Sequence, residues 1–223
     1  MPEAIAAVEG LVVRYRSQDP PVLKGLDLSV ARGERVAIMG PSGCGKSTLL
    51  AHMAGLRRPE AGEVRVEGRS LEGLSPGELD DLRSTTLGFV FQRSRLLPYL
   101  TVRENIEMAF ETKAFADTSG TQVRVASIMD AMGLAAIARR KAGDLSVGEA
   151  QRVAVARALV KTPALVIADE PTGSLDGENV AAIAGLLCDD SDRAVIVATH
   201  DERVAGRCQR VLFLSDGVLH ERK

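Results

Sequence analysis

Short apolar runs recur along the chain and predict the strands of a sheet. Three runs are apolar over four or five residues, which is typical of strands buried on both faces of a parallel sheet; they lie at residues 35–39, 165–168 and 194–198. Residues 5–16 and 63–66 predict further extended segments, the first interrupted at Gly10. Residues 87–91 predict another strand, which ends at Gln92. We therefore predict a mixed, mostly parallel sheet.

Other stretches alternate between apolar and polar residues, as half-exposed antiparallel strands do. Residues 22–30 alternate in this way, and the predicted buried face carries Val22, Leu26, Leu28 and Val30. Near the end of the chain, two apolar segments flank Asp216-Gly217, which is a hairpin signal. These patterns add an antiparallel β portion to the predicted sheet core.

The middle of the chain has helical periodicity instead. Apolar residues spaced three and four apart predict helices over residues 102–110, 123–132, 147–160 and, further on, 177–187. Ser75 and Thr101 each precede a Glu by three residues, which is the capping-box pattern of a helix start. We predict one domain over 1–223, with an α/β core from 1–92 and 162–223 and an all-helical subdomain inserted at 93–161.

One glycine-rich segment follows the apolar run at 35–39 and precedes a predicted helix. It is Gly40-Pro41-Ser42-Gly43-Cys44-Gly45-Lys46-Ser47-Thr48, and it fits the phosphate-binding P-loop pattern in full. Glycines let successive backbone N–H groups point at an anion, and the helix N-terminus adds a favourable dipole. In this pattern Lys46 reaches the β- and γ-phosphates and the Ser47 hydroxyl coordinates Mg²⁺. A chance match in an ordinary glycine turn is the alternative, and the strand and helix context argues against it.

Two carboxylates follow the apolar run at 165–168. Asp169 at the end of a buried strand can hold Mg²⁺, and Glu170 can orient an attacking water as a base. Taken alone, the pair could equally be two solvated carboxylates at a strand end. Beside a P-loop, it predicts a site that hydrolyses a nucleoside triphosphate.

A second candidate anion site precedes the predicted helix at 147–160. Ser146 and the following backbone N–H groups lie at a positive helix end. A plain N-cap is the alternative, since Ser146 and Glu149 also fit a capping box. The residues alone leave both interpretations open.

Composition narrows the class of partner. The 223 residues carry a net charge of −2, which gives no support to nucleic-acid binding. The three cysteines show no disulfide or metal spacing and Met1-Pro2-Glu3 lacks a basic signal region, so we expect a reducing cytosol. No apolar run reaches the roughly 18 residues of a spanning helix. Any action on a membrane therefore requires a membrane partner.

Several motifs together resemble the ATP-binding subunits of ABC transporters. The resemblance covers essentially the whole chain, in the family's order. The resemblance rests on the motifs GPSGCGKST, Gln92, LSVGEAQR from Leu145, ADEPTGSLD from Ala168, and ATHD with His200. GFVFQ, LLPYLT and ADEPTGSLD are most similar to the ATPases of lipoprotein-release, macrolide-export and antibiotic-sensing transporters.

The resemblance implies an ABC-type P-loop fold and a role for each matching residue. Tyr15 would stack on adenine, His200 would contact the γ-phosphate, and Gln92 would link the γ-phosphate and Mg²⁺ to the helical subdomain. Mg²⁺ would lie among Ser47, Gln92 and Asp169. The loop residues 40–48 would hold ATP, with Lys46, Gln92, Glu170 and His200 acting in its hydrolysis.

It also implies partners. Ser146, Gly148 and Glu149 would close over ATP held by a second, identical copy, and residues 174–176 would cross that interface. A separate permease would supply the membrane part and hold the ATPase at the inner face of the cell membrane. The competing hypotheses are a signalling ATPase that moves no cargo, a soluble ABC protein of DNA repair or translation, and a simple P-loop kinase or GTPase.

The chain departs from the family pattern at Val147, where the signature usually has its first glycine. Valine disfavours φ > 0 and adds bulk beside a phosphate. Ala150 also replaces a polar residue common in the subfamily. We hypothesise that Val147 makes closure slower or weaker, while Gly148 keeps the phosphate contact.

Overall fold

The computed structural model describes residues 4–111, 120–173, 175 and 177–221. The strands in these ranges are β1 Ala4–Val13, β2 Leu23–Ala31, β3 Arg35–Met39, β4 Ala61–Val66, β5 Arg69–Ser70, β6 Leu87–Val90, β7 Leu165–Asp169, β8 Ala194–Ala198, β9 Arg210–Ser215 and β10 Val218–Glu221. The helices are α1 Lys46–Met53, α2 Pro76–Thr86, α3 Val102–Glu107, α4 Thr121–Ala131, α5 Val147–Leu159, α6 Gly177–Cys188 and α7 Glu202–Ala205. Short 3₁₀ turns cover Met108–Phe110, Ala135–Ile137 and Ala142–Asp144.

The central sheet has the strand order β10-β9-β3-β8-β7-β6. From β9 to β6 every neighbouring pair is parallel, and β10 adds an antiparallel edge as the second half of a hairpin. A second, antiparallel sheet has the order β2-β1-β4-β5. The predicted combination of a mostly parallel core and an antiparallel portion is confirmed.

The central strands bury side chains on both faces, which is why their sequences are apolar throughout. On one face, Ile38, Ile167 and Ile196 pack in a core with α1 and the antiparallel sheet. On the other face, Val166 and Val197 pack in a core with α3 to α6. The division of 93–161 into a subdomain of its own stays a prediction, since its helices share this second core with the strands.

Local sequence signals give the helix starts. Capping boxes at Ser75, Thr101 and Ser146 all form, each with both reciprocal hydrogen bonds. The predicted helix at 102–110 is α-helical only to Glu107 and continues as a 3₁₀ turn. Among the described residues, no helix combines the length and apolar character needed to cross a membrane.

One predicted face is wrong at its first position. Val22 is half-buried and precedes β2, whereas Leu23 is fully buried. The reason is an irregular register against β1 around Gly25, which has φ 72°. This shift exchanges the faces on either side of it, so Leu23 joins Leu26, Leu28 and Val30 in the core.

Candidate functional site

The parallel strands carry the candidate residues to one edge of the sheet. The glycine loop follows β3, Asp169 ends β7, His200 lies two residues after β8, and Gln92 lies two residues after β6. Because β3, β8, β7 and β6 are neighbours in that order, their carboxyl ends place these groups side by side.

The glycine loop is folded into an open cradle before α1. Gly40 and Gly43 have φ of 145° and 80°, which only glycine adopts without strain. The Lys46 ammonium group crosses the loop and donates to the carbonyls of Gly40 at 2.7 Å and Pro41 at 3.1 Å. The cradle is therefore formed and held by its own lysine.

The loop opens onto a cleft of about 240 Å³. Its lining is Tyr15, Ser42, Gly43, Gly45, Lys46, Ser47, Thr48, Gln92, Asp169 and Glu170. Gly40, Pro41 and Cys44 complete the loop without lining the cleft, and Ser146, Gly148, Glu149 and His200 are also absent from the lining. Sequence-predicted residues from four separate stretches thus meet in one place.

Asp169 lies at the floor of this cleft with an unusual environment. Its side chain is buried, and Oδ1 has no hydrogen-bond partner among the described residues. Burial raises the pKa of this carboxyl, against the opposing effects of the Ser47 hydroxyl bond and the Lys46 charge. A buried, unpartnered carboxylate oxygen beside a serine hydroxyl is the donor set that Mg²⁺ takes in proteins. The residues present fit this ion.

Glu170 is held in a strained conformation beside His200. Its φ is 47°, the left-handed region that side chains other than glycine rarely adopt. Its backbone N–H donates to the carbonyl of Ala198, and its carboxylate accepts a 2.9 Å hydrogen bond from His200 Nδ1. The backbone strain and the hydrogen bond from His200 together fix the direction of the Glu170 carboxylate. Strain of this kind clusters at functional sites.

Tyr15 stands at the other side of the cleft. The residue is 60% exposed, and its hydroxyl shares a 2.5 Å hydrogen bond with the Thr48 hydroxyl. An exposed aromatic face fixed beside the loop is available to stack on a base.

Comparison with known proteins decides the family. The profile described as ABC transporter matches residues 23–173. The chain belongs to the ABC transporter family. The lipoprotein-releasing system ATP-binding protein LolD of Xanthomonas campestris is 45% identical over 205 residues, 90% of this chain and 85% of that protein. LolD of Chromohalobacter salexigens is 42% identical over 224 residues, covering 98% and 94%.

Solved structures agree with the fold of an ABC ATPase. The dimeric ATP-binding cassette MJ0796 bound to ADP and Pi has a TM-score of 0.90 at 33% identity, covering 98% of this chain and 99% of that one. The protein cbiO1 of Clostridium perfringens, part of the transporter complex cbiONQ, has a TM-score of 0.83 at 30% identity, covering 98% and 87%. This chain is accordingly an ATP-binding ABC ATPase.

The signature of this ABC ATPase begins α5, outside the cleft. The Ser146 hydroxyl accepts from the Glu149 backbone N–H, and the Glu149 carboxylate accepts from the Ser146 N–H at 2.8 Å. The bonds that the Glu149 carboxylate accepts from the backbone and side chain of Ser146 lower its pKa, and the 2.9 Å ion pair with Arg140 adds to the effect. A Cβ at Gly148 would come within 3.2 Å of Leu175. Ser174 and Asp176, predicted to cross the dimer interface, lie outside the described residues.

Val147 corrects one physical argument made from the sequence. It is the first residue of α5, and φ is not positive there. The expected backbone strain is therefore absent. The added bulk remains, because Val147 is 66% exposed between Ser146 and Gly148 at the start of α5.

The contacts that fix the Gln92 segment were not predicted from the sequence. Arg157 on α5 donates to the carbonyls of Ser94 at 2.8 Å and Arg95 at 3.0 Å. Arg95 itself has φ 47°, and its guanidinium lies 4.4 Å from the centre of the Phe91 ring. A charged residue within the mostly apolar α5 was the available signal.

Proposed function

We propose that this chain is the ATP-hydrolysing subunit of a transporter, and that two copies close around ATP. One observation carries the proposal: the P-loop, Asp169 and Glu170 meet in one cleft, whereas Ser146 and Gly148 of the same chain are outside its lining. A second phosphate-binding element left unused by its own cleft is accounted for if it serves the cleft of another copy. The dimeric MJ0796 structures support this arrangement.

Each cleft residue then has a role in hydrolysis. The loop at 40–48 binds the phosphates, and Lys46 exchanges its two carbonyl bonds for phosphate oxygens. Glu170 orients the attacking water and accepts its proton, while His200, which donates to Glu170, contacts the γ-phosphate. Tyr15 stacks on adenine.

Ser47, Gln92 and Asp169 would hold Mg²⁺, which when bound neutralises charge on the phosphates. The signature residues Ser146, Gly148 and Glu149 of one copy close over ATP in the other. Helices between residues 93 and 161 form the subdomain that carries the signature and moves with Gln92.

Hydrolysis is tested with Glu170→Gln. We expect turnover to fall by at least about a hundredfold, the range of a lost general base, while ATP binding persists and dimers accumulate in size-exclusion chromatography. Glu63→Gln is the matched control, because Glu63 is a partly exposed glutamate paired with Arg65 on β4, and neither residue lines the cleft. Retained turnover in Glu170→Gln would contradict the assigned role.

The membrane partner is a separate chain, by this proposal a permease of the lipoprotein-release class, and it holds the ATPase at the cytoplasmic face of the membrane. The names of the LolD relatives support this class. The test is capture from detergent-solubilised native membranes with tagged, ATP-loaded Glu170→Gln protein. A multi-span protein recovered with the bait, but not with a nucleotide-free Lys46→Ala bait, is the expected result. A folded, ATP-loaded bait that captures none would overturn it.

A further inference from the structure

The segment that carries Gln92 is attached to the helix that carries the signature. Gln151 and Arg157 both lie on α5, six residues apart, and both donate to backbone carbonyls of residues 91–95. The Gln151 bond to Phe91 is long at 3.5 Å, whereas the two Arg157 bonds are 3.0 Å or shorter. Arg157 therefore supplies most of the attachment.

The attachment is specific in geometry. One guanidinium uses two of its nitrogens, Nη1 on Arg95 and Nη2 on Ser94, and a planar fork of this kind fixes both position and direction. Arg95 is held with φ 47°, and conformations of this type persist only where their surroundings over-determine them. Residues 92, 93 and 95 are exposed, so hydrophobic burial contributes little to their position.

We propose that Arg157 is a positioning residue that transmits the state of Gln92 to the signature. Gln92 lines the nucleotide cleft, and α5 starts at Ser146. A displacement of Gln92 by bound nucleotide moves the carbonyls of Ser94 and Arg95, and the fork carries that movement into α5 and its N-terminus. This inference rests on the proposed ATP-driven closure of two copies.

The consequence is a separation of binding from closure. Without the fork, the cleft still contains Lys46, Ser47 and Asp169, so one copy binds ATP as before. The signature, however, no longer follows Gln92 into the arrangement that closes over the second copy. Removal of the fork therefore abolishes ATP-driven dimerisation and leaves ATP binding intact.

The test compares Glu170→Gln with Glu170→Gln/Arg157→Met. We expect ATP affinity of the isolated copy, measured by calorimetry below the dimerisation range, to stay within about twofold. Dimerisation measured by analytical ultracentrifugation with ATP should weaken about tenfold or more, as for other coupling residues. Arg157→Lys, which presents a single compact charge rather than a fork, should give an intermediate loss.

Arg193→Met is the matched control. Burial lowers the pKa of Arg157 and of Arg193 alike, and Arg193 donates to the Leu186 carbonyl at 3.1 Å, but it precedes β8 at the end of the strand opposite to the cleft. Its removal should lower the melting temperature much as Arg157→Met does, without changing ATP-driven dimerisation. Should Arg157→Met fail to fold, Arg157→Lys carries the same comparison.

Hydrogen exchange supplies a readout that a purely structural role would not change. In the Glu170→Gln parent, ATP should protect amides in both 91–95 and 146–149. In the Arg157→Met variant, protection at 91–95 should persist while that at 146–149 disappears. Equal protection at both segments, or undiminished dimerisation, would overturn the inference. A Glu170→Gln parent that itself neither binds ATP nor dimerises would instead refute the proposed function.

Discussion

Gly40→Ala should mainly reduce stability and Gly43→Ala should mainly reduce ATP affinity, although both glycines belong to one phosphate loop. At Gly40 a Cβ would come within 2.3 Å of the Leu214 carbonyl oxygen, and φ is 145°. The backbone strain costs about 1–3 kcal/mol and the overpacked contact about another 1–3 kcal/mol. We expect Gly40→Ala to lower the free energy of unfolding by roughly 4 kcal/mol.

At Gly43 a Cβ would meet no atom within 4 Å, and only the positive φ of 80° is unfavourable. The expected loss is about 1 kcal/mol. Gly43 lines the cleft, however, so a methyl group there interferes with the close approach of phosphate to backbone. We expect ATP affinity to fall about tenfold or more, the equivalent of about 1.4 kcal/mol.

Thermal unfolding without nucleotide separates the two cases. For a chain of this size, the melting temperature should fall by roughly 8–16 °C in Gly40→Ala and roughly 2–4 °C in Gly43→Ala. Calorimetric titration with ATP then gives the affinity of the well-folded Gly43→Ala protein. Equal losses of stability in the two variants, or full ATP affinity in Gly43→Ala, would refute the reasoning.

Three further changes test other parts of the site. Val147→Gly should raise the ATPase rate several-fold by removing bulk from the signature, and an unchanged rate and dimer yield would contradict this. Asp169→Asn should raise nucleotide-free stability by about 1 kcal/mol at neutral pH by removing a buried charge of which one oxygen has no hydrogen-bond partner, while abolishing Mg²⁺-dependent turnover. Because the folded Asp169 pKa is raised, the ionised form opposes folding above it, so urea unfolding should show this advantage narrowing as pH falls toward about 4. Tyr15→Ala should raise the KM for ATP, whereas Tyr15→Phe, which loses only the bond to Thr48, should leave it within about twofold.

Local sequence signals were sufficient for most of the architecture. The capping boxes at Ser75, Thr101 and Ser146 depend on residues three apart, so they are visible before any tertiary contact is known. The apolar runs likewise identify strands buried on two faces. From a parallel sheet it follows that the groups after these strands share one edge, which is why Asp169 could be placed near the glycine loop, whereas Gln92 was placed there only by the resemblance to ABC ATPases.

What could not be predicted depends on contacts between distant residues. Leu23 is buried in place of the predicted Val22 because the register with β1 is irregular, and the alternation inside β2 does not reveal that irregularity. The fork of Arg157 joins residues 62 and 63 positions apart. For Val147 the error was different, because a helix begins at that residue and requires no positive φ.

The Lys46 ammonium group, bonded to the carbonyls of Gly40 and Pro41, acts as a ligand belonging to the protein itself. Its two hydrogen bonds hold the loop in the shape of a cradle, so a nucleotide meets a ready-made shape. Both ATP and ADP must displace the same two bonds, and this exchange therefore cannot distinguish one from the other. In the proposed mechanism, ATP and ADP are therefore distinguished by Gln92 and Glu170, which line the cleft, and by His200, which donates to Glu170.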